Sequence, residues 1–329
     1  MSGHAGPSCR ICGAAGAAEA GRVEYLAGFA WEVWDCAMCG CRFTRHDDSL
    51  YERFHASGAI SYYSDYRQLA AQCRDFFDQR DKLGLKGFLC RTPKFRFIVE
   101  RAAGEPASSR LLEFGCSRGY LTSCFILEGR RVLGVDVSPE AIDSARAAFG
   151  DHFALAGSPE IASGRPYDFV YHVGMIGCVG DPMGLTRQLL AMLKPGGRLL
   201  FNAPNRAALH LRGQLWFDSA PPPDVVTLFP EGFWKRHFSS AAEVVEELEM
   251  LPADDAVAVG LRTLRGRGWE KPLPLPPTGN RANSWTQQMG GGWRLFERIV
   301  LKFARLTGLA TLAPQRPSEF GQFVQMTVR

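Results

Sequence analysis

From Arg110 to Phe201, short apolar runs bounded by glycine, proline and small polar residues alternate with stretches in which apolar residues return at helical spacing. The runs predict strands at Arg110–Phe114, Arg131–Val135, near His152–Ala156, at Tyr167–Val173 and at Arg198–Phe201. Helices are expected between them at Tyr120–Glu128, Pro139–Phe149 and Met183–Leu193, and Ser138 before Pro139 supplies an N-cap followed by proline at the first helical position. Strands and helices in alternation imply a parallel sheet with helices on both faces, an α/β doubly wound architecture. A helix at Ala241–Glu249 and strands at Ala256–Leu261 and Gln322–Val328 continue that sheet. Upstream, helical spacing covers Tyr66–Leu83 and Phe88–Val99, with Pro93 interrupting the second helix. Val23–Leu26 and Trp31–Trp34 alternate around Gly28 and read as a hairpin. Arg265–Pro317, rich in Gly and Pro before a helix at Trp293–Leu306, reads as an insertion before the last strand.

The first strand of the alternating series leads into Glu113-x-Gly115-x-Ser117-x-Gly119. Gly115 and Gly119 allow a tight turn and the close approach of a ligand, and Asp136 stands at the end of the next strand, where doubly wound folds hold ribose hydroxyls. A dinucleotide wants Gly-x-Gly-x-x-Gly, but Ser117 and Tyr120 occupy its second and third glycine positions. Glu113, at the mouth of the loop, would repel a pyrophosphate and attract a sulfonium or ammonium group.

Glu113 to Gly119 resembles motif I of the class I S-adenosylmethionine-dependent methyltransferases, with serine in place of the middle glycine. Tyr167–Val173 resembles that family's fourth strand, and Leu193–Asn205 its turn into the fifth. The resemblance runs from Leu85 to the C-terminus and implies a Rossmann-like seven-stranded sheet. It implies further that Glu113, Gly115, Ser117 and Gly119 face the methionine half of the donor, that Asp136 accepts the ribose hydroxyls and that Val137 packs on the adenine. Ser158 would stand in weakly for an acid that reads the adenine amine, and backbone groups at Val173 and Gly174 would complete the site. Tyr62-Tyr63-x-x-Tyr66-Arg67 falls in the helices that would form a lid, where Tyr63 can stabilise a sulfonium through its ring face; aromatic core packing is the alternative.

Ten cysteines would suggest disulfides in a short secreted chain, yet five of them precede residue 42 and four are paired as Cys9-x-x-Cys12 and Cys36-x-x-Cys39. Two such turns complete a thiolate tetrahedron, so a zinc ribbon is expected, with Cys41 an alternative to Cys39 and reduced bystander cysteines the bland reading. A four-thiolate site has no open position and is structural. The expected organisation is a ribbon over residues 1–48, a helical lid over 49–105 and the α/β domain over 106–329, with insertions at about 206–238 and 265–317. This order resembles bacterial zinc-ribbon methyltransferases acting on deoxysugars and other secondary metabolites.

Net charge is +4 without a Lys/Arg block, so nucleic acid is not an expected partner. No apolar run reaches membrane-spanning length and the first residues carry no signal pattern, which points to a cytoplasmic protein without a membrane partner. If the acceptor is a hydroxyl or an acidic carbon, a base must lie at the carboxyl ends of the fourth and fifth strands. His172 is the first candidate, with a packed histidine as the alternative; His237 and Asp224 are weaker ones. Gly177-Cys178 replaces the Glu-His pair frequent in relatives, and Val225 replaces the histidine of the later Pro-Glu-His. Trp216, Phe217, Phe229, Phe233 and Trp234 suggest an apolar or ring-bearing small-molecule acceptor, methylated on O, C or N. The alternatives are an RNA methyltransferase gripping nucleic acid with its ribbon, and a scaffold that has lost catalysis.

Overall fold

The computed structural model describes residues 6–26, 29–51, 66–209, 215–217, 220, 222–251, 257, 261, 291–312 and 315–329. Its centre is a seven-stranded sheet built from β4 (Arg110–Phe114), β5 (Arg131–Asp136), β6 (Phe153–Leu155), β7 (Tyr167–His172), β8 (Leu193–Ala203), β10 (Ala242–Met250) and β11 (Pro317–Val328). The strand order is β10-β11-β8-β7-β4-β5-β6. The pairs β4–β5, β5–β6, β4–β7 and β7–β8 are parallel, and β11 runs antiparallel to both β8 and β10. After β6 the chain returns to the other side of β4, so the order reverses between β4 and β7. In doubly wound sheets that reversal opens a crevice at the carboxyl ends of the two strands.

Helices cover both faces, beside two short ones, α1 (Asp48–Tyr51) and α7 (Pro159–Ser163). On one side lie α2 (Tyr66–Asp78), α3 (Lys82–Leu89), α4 (Pro93–Ala102), α5 (Thr122–Leu127) and α6 (Pro139–Phe149), whose buried side chains pack with Phe169 and Tyr171 of β7. The other face holds α8 (Pro182–Leu190) and α9 (Phe233–Phe238), packed on Val170, Leu199 and Phe201. The predicted Pro139–Phe149 helix forms over those residues, with the Ser138 hydroxyl accepting from Ala141 N at 3.2 Å. Pro93 does not interrupt a helix: it opens α4, a position that needs no N–H donor. The long expected helix from Tyr66 stops at Asp78, because Arg80 adopts a φ of 54° and Asp81 caps a new helix through Gly84 N at 2.8 Å.

The expected helix at Ala241–Glu249 is a strand. Glutamates favour a helix by propensity, but Ala242 and Val244 are buried while Glu243 and Val245 are exposed, and β11 offers a full-length ladder from Ala242↔Val328 to Met250↔Pro317. β11 pairs with β8 on one side and must satisfy its backbone groups on the other, and that demand, met by the edge strand β10, outweighs propensity. The strand expected at Ala256–Leu261 falls largely outside the described residues.

The amino-terminal module is a second sheet. Its hairpin is β1 (Ala18–Leu26) with β2 (Phe29–Asp35), followed by β3 (Arg42–Thr44). Its fourth strand, β9 (Thr227–Leu228), comes from the segment after β8, and pairs as Arg42↔Leu228 and Phe43↔Thr227. The ladder thereby ties the module to the segment that follows β8. Arg10 reinforces the joint by donating to Gly180 O at 2.9 Å and to Thr227 Oγ1, and Arg206 donates to Gly40 O and pairs with Asp35 at 3.1 Å. No helix among the described residues is long and apolar enough to cross a membrane.

Candidate functional site

The crevice between β4 and β7 is shaped by the glycine loop. Gly115, Ser117 and Gly119 all have positive φ, at 79°, 50° and 75°. Gly115 N and Cys116 N both donate to Val135 O, and Ser117 N donates to Asp136 Oδ2 at 2.7 Å, which ties the loop to the end of β5. Asp136 Oδ1 accepts from Ser138 N at 2.9 Å, so one carboxylate holds two loops in place. A carboxylate offers about four acceptor sites in all, so backbone ties and a ligand hydroxyl are compatible on one acid. Val137, next in the chain, is 38% exposed, and Leu155, whose strand partner is Asp136, is 39% exposed. Two apolar side chains held open beside an acid form a wall suited to a flat ring. Leu155 was not picked out by motif; its signal is its place at the end of an edge strand.

Glu113 departs from expectation. It is 2% exposed and lies under the loop, not at its mouth, where its Oε2 accepts from the hydroxyls of Thr122 and Tyr171. It fastens β4 to α5 and β7, and burial raises its pKa to about 8. The two glycines also differ in role. A Cβ on Gly115 would stand 2.9 Å from the Met175 sulfur in the loop after β7, whereas one on Gly119 would stand 2.5 Å from the Phe153 ring and 3.1 Å from Ala145. Gly119 therefore serves helix–sheet packing instead of facing a ligand.

His172 is fully buried, its ring stacked on Phe201 at 4.7 Å, and neither ring nitrogen has a hydrogen-bond partner among the described residues. Burial lowers its pKa to about 3, so it stays neutral over the working range and lacks the access a general base needs. The packed-histidine alternative is what the structure shows. The unfolded imidazole takes up a proton as pH falls through about 6.5, and the folded one does not until about pH 3. Stability is therefore full above pH 6.5 and falls between those limits by up to ~1.4 kcal/mol per pH unit. His172→Phe, which keeps the stacking and removes two orphan nitrogens, is expected to be no less stable at pH 7 and to lose that share of the acid sensitivity. Urea unfolding at pH 7 and pH 5 measures it; an equal pH dependence in both proteins refutes it.

His237 sits on α9, its Nδ1 2.8 Å from Phe233 O and its ring 4.3 Å from that of Phe233. It is held on its own helix by these contacts. Ser158 stands at the start of the helix Pro159–Ser163, beyond the edge strand β6. Val173 packs into the helix-side core, and Gly174 N donates to Asn202 Oδ1 at 2.8 Å. Tyr63 lies outside the described residues.

In the amino-terminal module the sulfur atoms of Cys9, Cys12, Cys36 and Cys39 lie within 4.8 Å of one another, with Cys9–Cys39 at 3.8 Å and Cys12–Cys36 at 3.6 Å. A tetrahedral ion with ~2.3 Å bonds to sulfur needs edges of about 3.8 Å, so the set fits zinc. Cys39 belongs to it, and Cys41 is buried beside it. Gly13 and Gly40, each following its pair, take φ values of 78° and 74° and donate to Cys9 O and Cys36 O, closing two equivalent knuckles. That glycine after each pair is the sequence signal that favours Cys39.

Residues 89–242 match a family model described as a methyltransferase domain. Over this segment, just under half of the chain, the sequence is that of a methyltransferase domain. The domain is similar to ubiquinone biosynthesis O-methyltransferase of Bordetella pertussis, 29% identical over 115 residues, which are 33% of this chain and 48% of that one. The chain thus spans about half the length of the first curated relatives it matches. The enzyme of the same name from Vibrio parahaemolyticus is 24% identical over 185 residues, 52% of this chain and 73% of that one. Among solved structures, a SAM-dependent methyltransferase from Archaeoglobus fulgidus aligns with a TM-score of 0.40 at 16% identity, over 76% of this chain and 95% of the other. The methyltransferase domain thus contains the glycine loop, Asp136 and the crevice, while the cysteine knuckles lie before it.

Proposed function

We propose that the protein transfers the methyl group of S-adenosylmethionine to an oxygen, carbon or nitrogen atom of a small molecule, a secondary metabolite or sugar-containing compound with apolar or ring character. The observation that carries the reading is the glycine loop pinned by Asp136 at the strand-order reversal, with Val137 and Leu155 held open beside it. Asp136 takes the ribose, the Val137–Leu155 wall takes the adenine, and the methionine half lies over Gly115 toward Met175. The donor's sulfonium supplies an activated methyl and its own leaving group; the protein contributes position. Oxygen is the first acceptor atom to test, since the relatives above are named as O-methyltransferases. The four thiolates hold a structural zinc.

Calorimetry with S-adenosylmethionine tests the donor site. Asp136→Ala removes both loop ties and the ribose acceptor and is expected to weaken binding at least ~30-fold, about 2 kcal/mol. Absence of binding to the wild type, or undiminished binding to the variant, rejects the assignment.

A further inference from the structure

At the far side of the crevice from Asp136, three functional groups from three segments meet. Lys94 sits in the first turn of α4, Cys178 in the loop after β7, and Asp224 in the segment between β8 and β9. A Cβ placed on Gly174, at the carboxyl end of β7, would stand 3.7 Å from Lys94 Nζ. Cys178 Sγ approaches Gly174 O at 3.4 Å and Asp224 Oδ1 at 3.7 Å. Asp224 is 3% exposed and Cys178 is 4% exposed, and the Lys94 ammonium feels both. Among the described residues Lys94 Nζ makes no hydrogen bond or ion pair; its recorded neighbour is the Phe95 ring, 5.4 Å from Nζ to centroid. A half-buried ammonium is costly to keep without a ligand or close partner, and desolvation holds its pKa below the ordinary lysine value.

We propose that Lys94, Asp224 and Cys178 line the acceptor subsite, and that this subsite takes an acidic hydroxyl, a phenol or an enol. The inference rests on the donor assignment above, which puts the methionine half between Gly115 and Met175 and so brings the methyl toward Gly174. The neighbouring Asp224 carboxylate makes Lys94 a poor anchor for the donor's own carboxylate, which it would repel. It suits a hydroxyl that must lose a proton. In the step, the acceptor O–H proton passes to the Asp224 carboxylate, and Lys94, protonated throughout, pairs with the resulting oxyanion. A lone pair of that oxygen forms the bond to the methyl carbon as the carbon–sulfur bond breaks, its electron pair staying on sulfur to give the neutral thioether. Asp224 releases its proton to solvent after product leaves. Trp216, Phe217 and Val225, clustered with Cys178, supply apolar walls for a ring.

The probe is 4-nitrophenol, whose anion absorbs visible light, titrated into the full-length protein saturated with S-adenosylhomocysteine. The wild type is expected to bind the nitrophenolate at least ~10-fold more tightly than Lys94→Met and to lower its apparent pKa by about one unit, while Lys94→Arg retains most of the effect. Asp224→Asn is expected to keep nitrophenolate binding but to slow methylation of unsubstituted phenol, a weaker acid that must lose its proton in the site. S-adenosylmethionine affinity, measured beside each variant, should stay within about threefold of wild type and reports folding. Equal nitrophenolate binding by wild type and Lys94→Met overturns the proposal. So does a tenfold loss of donor affinity in Lys94→Met with nitrophenolate unchanged, which would give Lys94 to the donor. A wild type that fails to bind S-adenosylmethionine at all overturns the donor assignment instead.

Discussion

Replacing Cys36 with serine, or stripping the metal with a chelator, is expected to reduce acceptor turnover at least ~100-fold, about 2.7 kcal/mol, while donor affinity changes by less than about threefold. The asymmetry follows from what the knuckles are attached to. The thiolate set fixes the ends of β1, β2 and β3, and β3 pairs with β9. Thr44 N donates to Val226 O, two residues from Asp224, and Arg10, between the first two cysteines, holds Val179 O, Gly180 O and Thr227. Cys178 and Val225 share a buried cluster with Val33 of β2. Contact between their sulfur atoms and burial raise the Cys9 and Cys39 thiols well above their ordinary range, so without a cation these two are not held as thiolates and no longer draw the knuckles together. The loops bearing Cys178 and Asp224 then lose their support. Gly115, Ser117 and Asp136 hang instead on β4 and β5. Zinc content by mass spectrometry, donor calorimetry and turnover on one preparation decide the matter. Equal loss of donor binding would mean that the module holds up the whole fold, and full turnover without metal would mean that it supports neither site.

Much of this architecture was legible in the chain because the relevant signals are local. β4, α6 and the final strand are written in apolar period and caps, and the donor loop in glycines whose φ values leave few alternatives. What the chain did not disclose depends on partners distant in sequence. β10 is a strand because β11, some eighty residues later, has an open edge; nothing within Ala242–Met250 says so. His172 ends the right strand for a base, but the alternation of side chains places it on the Phe201 face, against an aromatic cluster. Lys94 carries no motif at all. Its role depends on α4 laying its first turn over Gly174, a contact eighty residues apart. Asp224 sits in a proline-rich stretch that reads as surface, and is buried because β9 draws that stretch into the ribbon.

The two loop glycines should separate fold from binding. Gly119→Ala introduces a Cβ 2.5 Å from the Phe153 ring and 3.1 Å from the Ala145 methyl, at a φ of 75°. Phe153 is buried in β6 and in ring contact with Phe149 at 6.4 Å, so it has no room to retreat. Left-handed strain of about 1–2 kcal/mol adds to overpacking of about 1–3 kcal/mol, giving an expected loss of roughly 2–5 kcal/mol in unfolding free energy. Gly115→Ala carries the same backbone strain at a φ of 79°, but its Cβ meets the Met175 sulfur, the flexible end of a side chain that can swing away. Its stability loss is expected to stay near the strain alone, about 1–2 kcal/mol. The new methyl and the displaced Met175 then occupy the floor where the methionine half would lie, and donor affinity should fall at least ~10-fold. Urea unfolding and donor calorimetry on both variants give four values. The expected pattern is a large stability loss for Gly119→Ala with near-normal affinity in the folded fraction, and the reverse for Gly115→Ala. If Gly119→Ala instead loses donor affinity without losing stability, Gly119 faces the ligand, and the division of labour between the two glycines fails.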